Sequence, residues 1–125
     1  MSLDLLLVSI PAPCDWLNSN HRPNRYEQAR RVKEWRHAAF VEAMERRPFD
    51  SFDGPVRIIA TVHKTRAGRW DAGNLYPTAK AIVDGLVDAG VIPDDSNEWV
   101  TGPDMRAGAK ADEAHVVVAV RAVEA

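Results

Sequence analysis

Residues 56–95 read VRIIATVHKTRAGRWDAGNLYPTAKAIVDGLVDAGVIPDD. The stretch passes from a two-residue apolar period to a 3.6-residue one. In 56–64, Val56, Ile58, Ala60 and Val62 alternate with Arg57, Ile59, Thr61 and His63, which predicts a strand with one buried face. In 77–89, Ala79, Ile82, Val83, Leu86 and Val87 recur at helical spacing. Pro77 suits the first turn of that helix, and Gly90 suits the left-handed position just past its end. A strand, a short basic loop, a helix and a turn in this order point to the α/β class.

The flanks extend the pattern. Residues 3–9, LDLLLVS, predict a first strand, and the Pro- and Asn-rich run at 10–25 predicts a loop. Residues 26–46 predict a long amphipathic helix with Ala29, Val32, Trp35, Ala39 and Ala43 on its apolar face, and 47–55 a second loop. Residues 98–101 start a further strand, 102–113 read as a loop or hairpin connection, and 114–123 as a strand. The expectation is one α/β domain over residues 1–125, in the order β-α-β-α-β-β, with helices packed on a mixed sheet.

The composition, 46% hydrophobic and 27% charged over 125 residues, is that of an ordinary globular domain. Folding at this size buries roughly two-thirds of the chain's surface, so no staple is needed. A single cysteine, Cys14, excludes an internal disulfide and fits a reducing cytoplasm. The apolar run LLLVSI is too short to cross a bilayer and lacks the flanks of a targeting signal, so no membrane partner is expected.

The net charge of -2 hides an asymmetry. Residues 20–69 carry twelve Lys/Arg against six Asp/Glu, while 70–125 carry four against ten. Cations that hold phosphates and carboxylates that hold a divalent ion are the two requirements of a nuclease. The plainer alternative is that the two halves pair with each other in the fold.

Asp71 opens the quoted stretch's acidic part, and Asp94 and Asp95 close it. A thirteen-residue helix is roughly 20 Å long, so these carboxylates meet only if the chain folds back at Gly73 and Pro77 or at Gly90 and Pro93. Mg²⁺ prefers oxygen and takes one or two carboxylates while keeping several waters. Lys80, on the first turn and four residues before Asp84, is placed to contact a phosphate. Taken alone, Lys80–Asp84 is a surface ion pair worth a few tenths of a kcal/mol. His21, His37, His63 and His115 share no ligand spacing, which argues against zinc. Neither a nucleotide-cradling Gly-rich loop nor a paired thiol nucleophile is present in the pattern.

Asp71, Asn74-Leu75, Lys80, Asp84-Gly85-Leu86, Ala89-Gly90 and Asp94-Asp95 resemble, in order, the core of the RusA family of Holliday-junction resolvases. The family pattern is Asp-x-Asp-Asn-Leu, a lysine, Asp-x-Leu, a small-Gly step and Asp-Asp. The element order extends the resemblance to most of the chain. Two departures stand out: Gly73 falls where the family has its second Asp, and Tyr76-Pro77-Thr78 are extra before the lysine.

The resemblance implies a homodimeric, metal-dependent endodeoxyribonuclease of a bacterial or phage-infected cytoplasm. It would use Mg²⁺ or Mn²⁺ to nick four-way or branched DNA in pairs, in recombination and repair. Asp71, Asp95 and Lys80 would be catalytic, with Asp71, Asp94 and Asp95 at the metal and Asn74 and Asp84 in support. Arg22, Arg25, Arg30, Arg31, Lys33, Arg66 and Arg69 would hold backbone phosphates. Two other readings stay open: a structure-specific DNA-binding protein without cleavage, suggested by Gly73, and an interaction domain whose acidic half docks a basic partner.

Overall fold

The alternation at Val56–His63 forms a strand because its even-numbered residues are apolar and its odd-numbered ones can face water; Val56, Ile58, Ala60 and Val62 are all buried. In the computed structural model, which describes residues 4–46 and 51–123, this strand is β2. The other elements are β1 (Leu5–Pro11), α1 (Arg25–Arg46), α2 (Tyr76–Asp88), β3 (Val100–Ala107) and β4 (His115–Ala122). A short 3-10 helix, Ala72–Leu75, leads directly into α2. The chain is a single α/β domain with two helices on a four-stranded mixed sheet.

The sheet order is β1-β4-β2-β3. β4 runs antiparallel to both β1 and β2, and β3 runs parallel to β2. The first three strands are therefore mutually parallel, and each connection between them needs a crossover. α1 makes the first crossover and α2 the second. The helices pack on each other, so both cover the same face of the sheet. Beneath them lies the core, built around Trp35, Ile10, Ile58, Ile82, Leu86 and Val118.

Local chemistry sets the helix ends. Asn24 caps α1, its Oδ1 accepting from the Glu27 backbone N–H at 3.0 Å. Gly90, at φ 76°, ends α2 as expected. The Gly90 N–H reaches the Val87 carbonyl at 2.9 Å, and the Val91 N–H reaches the Leu86 carbonyl at 3.1 Å. This pair of bonds satisfies two of the helix's orphan carbonyls and reverses the chain. The returning segment is then stitched down by the Phe52 N–H on the Val91 carbonyl and the Val56 N–H on the Trp99 carbonyl.

Three expectations change. β1 runs through Ile10 and Pro11 rather than stopping at residue 9, and Pro11 is tolerated because β1 is an edge strand. Leu3, the expected first residue of that strand, lies outside the described residues, as do residues 47–50 of the second loop. Residues 102–107 are strand, not loop, and β3 makes no hairpin with β4. Gly102 and Pro103 sit where the β2–β3 register shifts between Arg57 and Ile59, so a missing donor and a missing side chain are absorbed in an irregularity. Finally, Ala29 is exposed, and the buried face of α1 is Trp35, Ala39 and Ala43.

The helices cross closely at Gly85. A Cβ there would stand 2.8 Å from the Ala39 Cβ and closer still to the Arg36 carbonyl oxygen. Beside it, Arg36 forms a bidentate pair with Asp88 at 2.5 and 2.7 Å. Gly85→Ala is expected to push α1 and α2 apart and destabilise the protein by about 1–3 kcal/mol. Urea denaturation measures this, and an unchanged midpoint would contradict so tight a crossing.

Candidate functional site

Three sides of α2 have different employment. Ala79, Ile82, Val83 and Leu86 are buried, Gly85 and Asp88 meet α1, and Lys80 and Asp84 lie one helical turn apart on the remaining side. The chain leaving α2 folds back past this third side. It delivers Asp95, whose carboxylate accepts a hydrogen bond from Lys80 Nζ, while Asp84 Oδ1 accepts from the same ammonium at 3.0 Å. One ammonium thus bridges two aspartates fifteen and four residues away. Asp94 holds the turn itself, its Oδ1 accepting from the Asp95 N–H at 2.8 Å.

Asp71 stands at the other end of the segment. Its Oδ1 accepts from the Gly73 N–H at 2.9 Å and so caps the 3-10 helix from which α2 starts. The chain at Asn74 is pinned from outside, because the Ser19 N–H and Oγ–H both donate to its carbonyl, at 2.8 and 3.2 Å. Deeper, Thr78 is fully buried; its Oγ accepts from the Leu17 N–H at 2.9 Å and donates to the Leu17 carbonyl at 2.8 Å. These bonds lock the 12–24 loop against the start of α2 and bring Ser19 to the turn that Asp71 caps. Sequence spacing could not pair Leu17 with a threonine 61 residues away.

The structure therefore gathers Lys80, Asp84 and Asp95, and keeps Asp71 and Asp94 in their own turns. Among the described residues, no three His, Cys, Asp or Glu side chains converge as a ready-made metal cluster. Asp71, Asp94 and Asp95 are thus not a preformed triad. Asp84, a supporting candidate from sequence, is a full member of the lysine cluster; its i, i+4 spacing to Lys80 was the available signal.

The basic candidates divide. Arg30 is taken up by Glu27 and Glu34, at 2.5 and 2.6 Å. Arg31, only 14% exposed, pairs with Glu27 at 3.1 Å and donates to the Trp16 carbonyl at 3.3 Å. It braces the loop where Trp16 stacks on Trp35. These two are structural side chains, and their hydrogen bonds hold the Glu27 carboxyl down to about 2. Arg22, Arg25, Lys33, Arg66 and Arg69 are exposed and have no carboxylate partner among the described residues. Arg66 and Arg69 belong to the loop after β2, where Lys64 lies over the Trp70 ring at 4.5 Å. Burial pushes the Cys14 thiol up to about 12, reinforced by Glu34, which makes it a poor nucleophile at neutral pH.

Compared with known proteins, the chain matches no family model, and no curated protein matches it.

The hydrogen bond from Lys80, and then that involving Asp84, holds the Asp95 carboxyl below its ordinary 3.8. Burial disfavours the Lys80 ammonium, but the bonds to Asp95 and Asp84 outweigh it and raise Lys80 above 10.5. The Asp95 contribution to stability is complete above pH 3.8 and is lost as pH falls through its lowered native value. The Lys80 contribution is complete below pH 10.5 and is lost as pH rises through its raised one. Carboxyl NMR titration is expected to find Asp95 titrating below an ordinary aspartate, and Lys80→Met to raise its midpoint. No change on losing the lysine would refute the bridge.

Proposed function

We propose that the protein is a metal-dependent endodeoxyribonuclease that nicks four-way or branched DNA in recombination and repair, in the cytoplasm of a bacterial or phage-infected cell. The observation that carries this reading is the fold-back of Asp95 onto Lys80 and Asp84. It sets the last carboxylate of the RusA-like pattern against its lysine, as one active site requires. Support also comes from the exposed cations Arg22, Arg25, Lys33, Arg66 and Arg69, which are free to hold phosphates. A lone cysteine fits the cytoplasmic assignment, and among the described residues no helix is long and apolar enough to cross a membrane.

The donor set fits Mg²⁺ or Mn²⁺, since it consists of hard oxygens and such an ion needs only one or two carboxylates. Asp71 and Asp95 would hold it, with Asp94, the chain neighbour of Asp95, and the Asn74 amide oxygen as further donors, and the two turns would have to close on the ion. The ion, when bound, supplies Lewis acidity and an activated water. Lys80 supplies positive charge for the scissile phosphate as negative charge builds on its oxygens. Asp84 positions that ammonium and keeps it protonated.

Gly73 favours a second reading, a junction-binding protein that does not cut. A synthetic four-way junction separates the two. Wild type is expected to nick it with Mg²⁺ or Mn²⁺, and Asp95→Asn, Asp71→Asn and Lys80→Met each to lose about 100-fold or more in rate. Binding without cleavage by wild type, under both metals, would leave only the second reading. Equal cleavage by wild type and Asp95→Asn would remove the site assignment.

Gly73 also offers a gain-of-function test. A Cβ there would lie 3.2 Å from Asp71 Oδ1, so a side chain fits once Asp71 shifts by a few tenths of an ångström. Gly73→Asp is expected to tighten Mn²⁺ binding, measured by calorimetry, because it adds a second carboxylate beside Asp71. Unchanged affinity would place the metal elsewhere.

A further inference from the structure

Residues 15–19, Asp-Trp-Leu-Asn-Ser, belong to none of the helices or sheet strands, yet each gives a backbone group to a hydrogen bond. The Asp15 carbonyl accepts from Trp35 Nε1 at 3.0 Å and the Trp16 carbonyl from the Arg31 guanidinium at 3.3 Å, both from α1. Leu17 is bonded on both sides to Thr78 of α2, the Asn18 carbonyl accepts from the His21 N–H at 3.3 Å, and the Ser19 N–H is spent on Asn74. An irregular segment held at every residue keeps its side chains in place before any ligand arrives. Those side chains wall a cavity of about 250 Å³, lined by Asp15, Trp16, Asn18, His21 and Arg31. Trp16 stacks on the fully buried Trp35, with centroids 5.3 Å apart and planes at 20°, so its indole is fixed in the wall. Asn18 Oδ1 accepts from the Asn20 N–H at 2.8 Å, which leaves the Asn18 amide NH₂ to donate.

We propose that this cavity receives one unpaired base of a DNA strand, stacked against Trp16 and read at its polar edge by Asn18 and Asp15. The lining has a flat aromatic wall, an amide donor, a carboxylate acceptor and an imidazole, and no aliphatic side chain. A flat ring with donors and acceptors on its rim is the chemistry that such a lining complements. An aliphatic chain finds no apolar floor here. A phosphate in the cavity itself would meet the Asp15 carboxylate, 84% exposed, while Arg31 beside it is already paired with Glu27. The volume lies below that of an ordinary drug-sized pocket and suits a single planar group.

The surroundings suit a strand rather than a free nucleotide. Arg22 and Arg25 follow the cavity in the chain, exposed and without carboxylate partners among the described residues, and can hold the phosphates on either side of the base. Tyr26, 75% exposed with the Arg25 guanidinium 5.1 Å from its ring centroid, offers a second flat surface. The bonds from Ser19 to the Asn74 carbonyl tie the segment to the turn that Asp71 caps, so the pocket has a fixed place relative to that carboxylate. Bases at a branch point have interrupted stacking, which lowers the cost of turning one out of the duplex. The inference rests on the DNA reading given above, cutting or not, and supplies what that reading lacks: a means of preferring one sequence over another.

Fluorescence anisotropy of the full chain, without metal, tests it on labelled single strands of about twelve nucleotides, one carrying bases and one abasic throughout. Wild type is expected to bind the base-bearing strand about tenfold or more tighter than the abasic one. Trp16→Leu is expected to bind both alike, with unchanged affinity for the abasic strand, and Trp16→Phe, which keeps a flat ring, to recover the preference. Asn18→Asp keeps the Oδ1 that holds Asn20 and removes the amide donor. It is expected to change the ranking among oligo-dA, oligo-dC, oligo-dG and oligo-dT, and an unchanged ranking would overturn the pocket whatever the stability of the Trp16 variants. Equal binding of base-bearing and abasic strands by wild type, or a preference that survives in folded Trp16→Leu, would also overturn it while leaving DNA binding intact. Wild type that binds neither strand nor a four-way junction would overturn the DNA reading and the pocket with it.

Discussion

The contact on which the arrangement depends is the crossing of α1 and α2 at Gly85. With no side chain at that point, the Arg36 carbonyl and Ala39 come against the α2 backbone, and Arg36 clasps Asp88 one turn further on. This fixes the rotation of α2 about its own axis. Once Gly85 and Asp88 are turned to α1, and Ile82 and Leu86 to the sheet, Lys80 and Asp84 have only the third side left. The same crossing keeps both helices together on one face, which leaves the other face of the sheet without a helix among the described residues. The lysine cluster and the open face are thus two consequences of one close approach.

The charge asymmetry of the sequence is partly resolved within the fold. Arg36–Asp88 and Arg57–Asp104 each join a cation of the basic half to a carboxylate of the acidic half. Arg30 is consumed inside the basic half by Glu27 and Glu34, and Arg31 by Glu27 together with Asp15 of the loop before it. Among the described residues of the basic half, those without carboxylate partners are a smaller set: Arg22 and Arg25 before and at the start of α1, Lys33 on it, and Lys64, Arg66 and Arg69 between β2 and Asp71. Internal pairing thus accounts for part of the asymmetry, and the remaining cations are those that the proposed phosphate binding would use.

How far the sequence could be read follows from the range of the forces involved. β2 and α2 were legible because period and caps are local: Pro77 and Gly90 mark α2 to within a residue at each end. The ion pairs of Arg30 and Arg31 with Glu27 were also legible in principle, at spacings of three and four. β3 was not, since Gly102 and Pro103 are turn-forming residues by propensity, and only the neighbouring β2 makes them a strand. For the candidate site, the sequence showed which residues carry charge and that the chain must reverse. That Asp95 lands on Lys80, while Asp71 is spent as a cap, depends on the Gly90 reversal and on the stitching of Val91 and Trp99 to residues 52 and 56.

The resident ammonium has a consequence for electrostatics. Two aspartates drawn together without a cation would repel, and one would rise in pKa until it took up a proton. Lys80 counters this: its hydrogen bond holds the Asp95 carboxyl below its ordinary value. The attraction that stabilises the bridge also sets a threshold for anything that would displace it. On the nuclease reading, a phosphate arriving with a divalent cation would offer Asp95 and Lys80 new partners of opposite sign. On that reading, the lysine would exchange its bond to Asp95 for one to the phosphate. Asp84, one turn along the same helix and 3.0 Å from the ammonium, would remain its partner.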